Sequence, residues 1–200
     1  MRLSDEYKKE LYRKGIHLSS LWMPAIIYFA PKIACILLFS IIVLGDMILE
    51  YGNYKKWGEA QKIFHLFLPT LRKKELRTDK LTFTGGIYVS LAALLCSVFF
   101  AKPIAVIALS IMLISDTSAA LVGKIFGKHK IYKNKSVEGS LAFFISAIFV
   151  TLIFNSIYPF SFVCIIACLA ATLMELYESA LKIDDNLSIP LAVGLVLSLF

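Results

Sequence analysis

Asp116 stands where an acid is costly, inside a run from Ile104 to Val122 that is otherwise apolar or small. A carboxylate at membrane depth is a functional-site candidate, because only a partner or a ligand offsets its lost hydration. The residues after it bring Gly123-Lys124 and Gly127-Lys128, then Lys130, Lys133 and Lys135. They close on Ser136, Glu138 and Gly139 at the mouth of the next apolar run. Glycine lets backbone approach a ligand, lysine offers charge to phosphate, and a carboxylate can hold a divalent cation. Acid, glycines, lysines and acid within one stretch suit a nucleotide and a metal at a membrane surface.

The stretch is not a P-loop. Gly123 and Gly127 have three residues between them, no strand is expected before them, and Lys135-Ser136 has no upstream glycine at the required distance. Most of its lysines read as ordinary loop charge. Lys135 is the best placed, since Ser136, Glu138 and Gly139 follow it at a helix start, where free N–H groups attract anions. Further candidates lie elsewhere. Arg13, Lys14 and His17 fall at the edge of the first apolar run, and Asp46 and Glu50 share one helix face at i, i+4. Either acid could simply pair with Arg13 or Lys14. Glu175 sits deep in the sixth apolar run, whereas Glu178 has Lys182 four residues on as a ready helix partner. Asp184, Asp185 and Asn186 could cap the last helix or, equally, supply oxygen ligands to Mg²⁺.

The elements that position these residues follow from composition. With 58% hydrophobic residues and a mean hydropathy of +0.76, 200 residues leave too little polar sequence to cover a soluble domain. The expected class is an all-α polytopic membrane protein, a single domain over residues 1–200, its runs too continuous for a β-barrel. Seven apolar segments are expected to span: Ile16–Ala30 (uncleaved), Ile33–Leu49, Gly85–Ala101, Pro103–Val122, Gly139–Tyr158, Phe160–Leu181 and Leu187–Phe200. The first and last are marginal for a core of ~30 Å. Basic residues number five, eight, five and one in alternate connections, against one each in the turns at Lys32 and Lys102. The positive-inside rule then puts the N-terminus, the long loops and every candidate acid on the cytoplasmic side of the inner membrane. The net charge of +7 is thus loop charge, and no nucleic-acid partner is expected. Residues 51–83 form a cytoplasmic connector in which Trp57, Ile63, Phe64, Phe67 and Leu68 recur at near-helical spacing among Lys55, Lys56, Lys62 and Arg72. That describes an amphipathic helix on the membrane surface. Cys35, Cys96, Cys164 and Cys168 lie in apolar runs and read as small hydrophobes.

The motifs together resemble the polyprenol kinase family, which contains dolichol kinase, phytol kinase and the CTP-dependent diacylglycerol kinases. The resemblance rests on D-T-S-A-A-L-V-G-K-I-F-G-K from Asp116 and N-K-S-V-E-G-S from Asn134. It is supported by R-K-x-x-H from Arg13, T-G-G from Thr84 and D-D-N-L-S-I-P-L from Asp184. It covers nearly the whole chain, whose length is that of compact bacterial members. It implies Mg²⁺-dependent transfer of the γ-phosphoryl group of CTP to a membrane lipid alcohol, diacylglycerol or a polyprenol. The nucleotide loop, residues 123–138, is extended by one residue to include Gly139. In it Gly123, Lys124, Gly127, Lys135, Ser136 and Gly139 would bind nucleotide, with Asp116, Lys135 and Glu138 catalytic. Asp116 with one or both of Asp184 and Asp185 would hold the metal. Two alternatives use the same surroundings: a CTP:phosphatidate cytidylyltransferase, and a non-enzymatic lipid transporter. An oligomer is compatible with either.

Overall fold

A computed structural model describes residues 5–67, 71, 81–133 and 135–199. Its helices are α1 (Asp5–Ser19), α2 (Trp22–Phe29), α3 (Lys32–Tyr54), α4 (Gly58–Phe67), α5 (Gly85–Phe99), α6 (Lys102–Phe126), α7 (Val137–Ile153), α8 (Phe162–Leu181) and α9 (Asp185–Leu199). Helix α6 is the axis. Its residues from Ile104 to Leu113 are all buried, and it packs against α1, α2, α5, α7 and α9. Ala105, Ala108, Ser110, Ser115 and Ala119 keep its surface slim enough for neighbours to approach on every side. The outer helices show the opposite pattern. Ile33, Leu37, Ile41, Leu44 and Ile48 form an exposed apolar stripe along α3, and Phe162, Ile166, Leu169 and Leu173 do the same along α8. Such stripes belong against lipid.

Three described helices, α3, α6 and α8, are long and apolar enough to cross a membrane. Of the other expected spans, α5, α7 and α9 are apolar but only 15, 17 and 15 residues long. The first expected span is not one helix. Pro24 cannot donate to the Ser20 carbonyl and its ring crowds it. The chain turns instead, with Ser20 N–H donating to His17 O (3.1 Å) and Met23 N–H to Ser20 O (2.9 Å). Ile16 to Ala30 is therefore split between α1 and the eight-residue α2. The four cysteines are free and buried, as expected of small hydrophobes.

Two connections depart from expectation. Helix α4 folds back on α3, because Gly52 leaves room for the Trp57 ring and Ala60, each 2.8 Å from where a Cβ would stand. Phe67's side chain, Leu68 and Arg72, expected to extend its two faces, lie outside the described residues. The loop after α6 is not wholly irregular either. Strand β1 (Lys130–Tyr132) pairs antiparallel with β2 (Lys135–Ser136), Lys133 taking a left-handed φ of 48° in the turn. Tyr132 packs on Tyr177 of α8, ring centres 5.6 Å apart, which ties this ribbon to the bundle. The all-α expectation is corrected to that extent.

Gly194 marks the closest packing of α9. A Cβ there would run into the ring of Phe100. Gly194→Ala should lower stability in detergent by about 1–3 kcal/mol through overpacking, read as a fall in thermal midpoint.

Candidate active site

Two buried charges meet between α1 and α6. Lys14 donates through Nζ to Asp116 Oδ2, with side chains only 2% and 7% exposed, so neither charge has solvent to fall back on. One turn along α1, His17 places Nε2 3.4 Å from the same oxygen. The i, i+3 spacing puts both basic groups on the α1 face that meets α6. Lys14 thus answers Asp116 and not Asp46 or Glu50, the partners considered from sequence. The hydroxyls flanking the acid play a local part: Thr117 donates to Leu113 O at 2.8 Å and Ser118 to Ile114 O at 3.0 Å. Both bond within their own helix, while the buried Oγ of Ser115 has no hydrogen-bond partner among the described residues.

A second set surrounds the start of α9. Helix α8 ends at Lys182, whose left-handed φ of 58° turns the chain sharply. Asp184 then accepts from Asn186 N–H (3.2 Å) and Asn186 Nδ2 (2.7 Å), capping α9. The turn brings Asp184 and Asp185 under Glu178, with carboxylate oxygens of all three within 4.8 Å of one another. Lys135, half-buried on β2, donates to Glu175 and lies 4.0 Å from Glu178. Burial alone would depress its pKa, but the carboxylates of Glu175 and Asp185 outweigh that and hold it above the ordinary lysine value. Lys135 therefore stays charged. Asp116 and Asp185 lie within electrostatic range of both Lys135 and His17, so the two sets form one charged region at one end of the bundle.

A third set borders this region. Asp46 accepts from Ser90 Oγ at 2.7 Å, and Glu50 accepts from Thr84 N–H at 2.9 Å, which pins the entrance of α5 to the end of α3. Gly85 lets that entrance abut Asn186, whose Nδ2 would be 3.4 Å from a Cβ. Arg13 pairs with Glu10, and Lys124 reaches the same carboxylate at 3.7 Å.

The remaining candidates are placed by packing. A Cβ on Gly123 would stand 3.6 Å from Gly139 Cα, one on Gly139 would be 3.1 Å from Ala119 O, and one on Gly127 would be 2.6 Å from Ser136 Oγ. These glycines make the crossing of α6 and α7. Ser136 caps α7, accepting from Gly139 N–H at 3.2 Å. Glu138 accepts from His129 Nδ1 at 2.7 Å and from its N–H at 3.3 Å, on a face where His129 is largely exposed. Asp116 is not gathered with Asp184 and Asp185; Glu178 takes that place. The spacing of Glu178 from Glu175, three residues on one helix face, was the available signal, masked by the lysine four residues on at 182. Nothing in the sequence pointed to Ser90 as the partner of Asp46.

Relatives cover the chain almost end to end. An uncharacterised protein of Rickettsia prowazekii is 34% identical over 200 residues, 98% of this chain and 97% of its own. The CTP-dependent diacylglycerol kinase 1 of Schizosaccharomyces pombe is 26% identical over 96% of this chain and 94% of its own. A probable chloroplastic phytol kinase of Triticum aestivum is 32% identical over 56% of this chain and 42% of its own. The chain belongs to one family with the Rickettsia protein, and the named lipid kinases are more distant relatives of it. No family model and no solved structure matches it.

The glycines' role can be separated by experiment. Gly127→Ala should cost about 1–3 kcal/mol of stability, because Ser136 and the Gly123 carbonyl must move. A variant of wild-type stability with only a raised KM for nucleotide would assign Gly127 to ligand contact instead.

Proposed function

We propose that the protein transfers the γ-phosphoryl group of a nucleoside triphosphate to a membrane lipid alcohol. The donor is CTP, in line with the motif resemblance and the name of the yeast relative. The observation that carries this reading is the meeting of three carboxylates, Glu178, Asp184 and Asp185, with the charged Lys135 beside them. In the transfer, the alcohol oxygen attacks the γ-phosphorus while the bridging β–γ P–O bond breaks. Nucleoside diphosphate leaves, and the hydroxyl proton passes to a basic side chain. Catalysis of such a step is mostly positioning and neutralisation of charge.

The chain's own groups suit those two tasks. Lys135 is held by Glu175 so that its ammonium faces the acid cluster, where it can neutralise phosphate oxygens. Asp116 holds Lys14 and His17 on the inner face of α1, which makes it a positioning acid here and not a third member of the Asp184–Asp185 pair. The α6–α7 crossing at Gly123 and Gly139 sets where β2, and so Lys135, enters the bundle. Asp184, Asp185 and Glu178 are hard oxygen donors at a spacing that fits Mg²⁺, which prefers a few carboxylates completed by phosphate oxygens. When bound, that ion would offset phosphate charge. The reading also carries the cytoplasmic orientation from the loop charges and the single domain over 1–200.

Purified protein in lipid micelles, given Mg²⁺ and CTP labelled at either the α- or the γ-phosphate, tests the reaction. Label should reach a lipid alcohol from the γ position only. Label entering phosphatidate from the α position would make the protein a cytidylyltransferase, and no transfer at all would leave a transporter. The metal site has its own readout. Millimolar Mg²⁺ should raise the thermal midpoint of the wild type, and Glu178→Gln or Asp185→Asn should abolish that rise; an undiminished rise in both would move the ion elsewhere.

A further inference from the structure

The β-ribbon and α8 meet along one seam. Tyr132 and Lys135 stand directly opposite each other in the antiparallel pair, so their side chains leave the same face, with Cβ atoms about 4.5–5.5 Å apart. That face is turned to α8. Lys135 reaches Glu175 and Glu178, and Tyr132 packs on Tyr177, the residue before Glu178. An aromatic pair therefore borders the groups that the kinase reading gives to phosphate and metal. The two rings are tilted at 55° to each other, so they form a notch and not a closed stack. Tyr177 is 43% exposed. On the other side, Lys133 is exposed and rests its Nζ 5.5 Å from the centre of the Tyr132 ring, a cation–π contact at the outer surface. A ring face under an exposed lysine is one that a flat group can reach.

We infer that Tyr132 and Tyr177 form the site for the base of the nucleotide, the ribose bridging from this pair to phosphates held at Lys135 and the carboxylate cluster. The inference rests on the kinase reading above and gives its donor substrate a place for the base. Aromatic rings hold nucleobases by stacking, and every base has a π-face to offer. The pair thus supplies affinity for a nucleoside, while Lys135 and the acids act on the phosphates. An inorganic polyphosphate would meet the second set and leave the first unused. Tyr177 also continues the spacing of the lipid-facing stripe Phe162, Ile166, Leu169 and Leu173, and tyrosine is common at the membrane interface. A tyrosine of that kind needs only lipid beside it. Here its ring is paired with a strand tyrosine whose cross-strand neighbour is the site lysine, and a membrane role gives that pairing no purpose.

The test separates base from phosphate. Tyr177→Leu keeps apolar bulk against Tyr132 and removes the π-face, whereas Tyr177→Phe keeps the face. With Mg²⁺ present, CTP should raise the thermal midpoint of the wild type and of Tyr177→Phe alike, and Tyr177→Leu should need about fivefold more CTP or above for the same rise. Inorganic tripolyphosphate should stabilise all three proteins equally. In turnover, Tyr177→Leu should raise the KM for CTP by the same factor and leave the KM for the lipid alcohol unchanged. A raised KM for the alcohol with that for CTP unchanged would make Tyr177 a membrane-interface residue and overturn the inference. Equal CTP shifts in all three proteins, or none in any, would do the same. Without any variant, 5-iodocytidine triphosphate irradiated on the wild type should attach to Tyr132 or Tyr177. Adducts confined to other residues would refute the site even if Tyr177→Leu failed to fold. If the wild type moved γ-phosphate to no alcohol, the kinase reading would fall, and the midpoint shifts and adducts would still decide whether the pair holds a base.

Discussion

The buried pairing of Lys14 with Asp116 is the constraint on which the other placements depend. Each charge alone would face a desolvation penalty of several kcal/mol, and each is made tolerable only by the other. The pair fixes the rotation of α1 about its axis and its depth against α6. Once α1 is fixed, His17 is carried to Asp116 and Glu10 to Lys124. A buried ion pair is a poor way to gain stability compared with apolar packing, so its presence at the centre of a membrane bundle points to use. Here that use is to keep a carboxylate, an ammonium and an imidazole together in a region closed to water.

Packing supplies the second constraint. Helix α6 can be surrounded only because small residues face its neighbours, and the α6–α7 crossing tightens until glycine faces glycine at 123 and 139. That crossing directs the short β-ribbon, which brings Lys135 across to Glu175 on α8. The lysine is far in sequence from the acids it serves. Glycine in this stretch thus sets the position of charge as well as the approach of backbone.

Much of this was legible from the sequence. Asp116 stood out because hydrocarbon surroundings make an acid conspicuous, and the motif pointed to the lipid kinases found among the chain's relatives. Each apolar segment after the first contains one helix whose ends fall within five residues of those expected, since long apolar runs leave little choice of structure. The break at Ser20 was missed because Pro24 lies inside an apolar run whose hydropathy hides it, and its effect falls four residues upstream. Glu178 was set aside because a lysine at i+4 offered a sufficient local partner. The acids it meets are brought there by the turn at a left-handed residue, Lys182, that no pattern announces. Lys14 and Lys135 were recognised as charges, but their partners are long-range facts: 102 and 40 residues separate them from Asp116 and Glu175.

The most direct test of this account compares Lys14→Met, Asp116→Leu and the double variant for denaturant stability in detergent and for γ-phosphoryl transfer to lipid alcohol. The singles should each lose about 3–5 kcal/mol, by leaving one uncompensated buried charge. The double should regain most of that loss and still transfer no phosphate, because stability needs only a filled interface whereas the reaction needs the charges. A double variant that transfers phosphate at the wild-type rate would reduce the pair to packing and contradict the account.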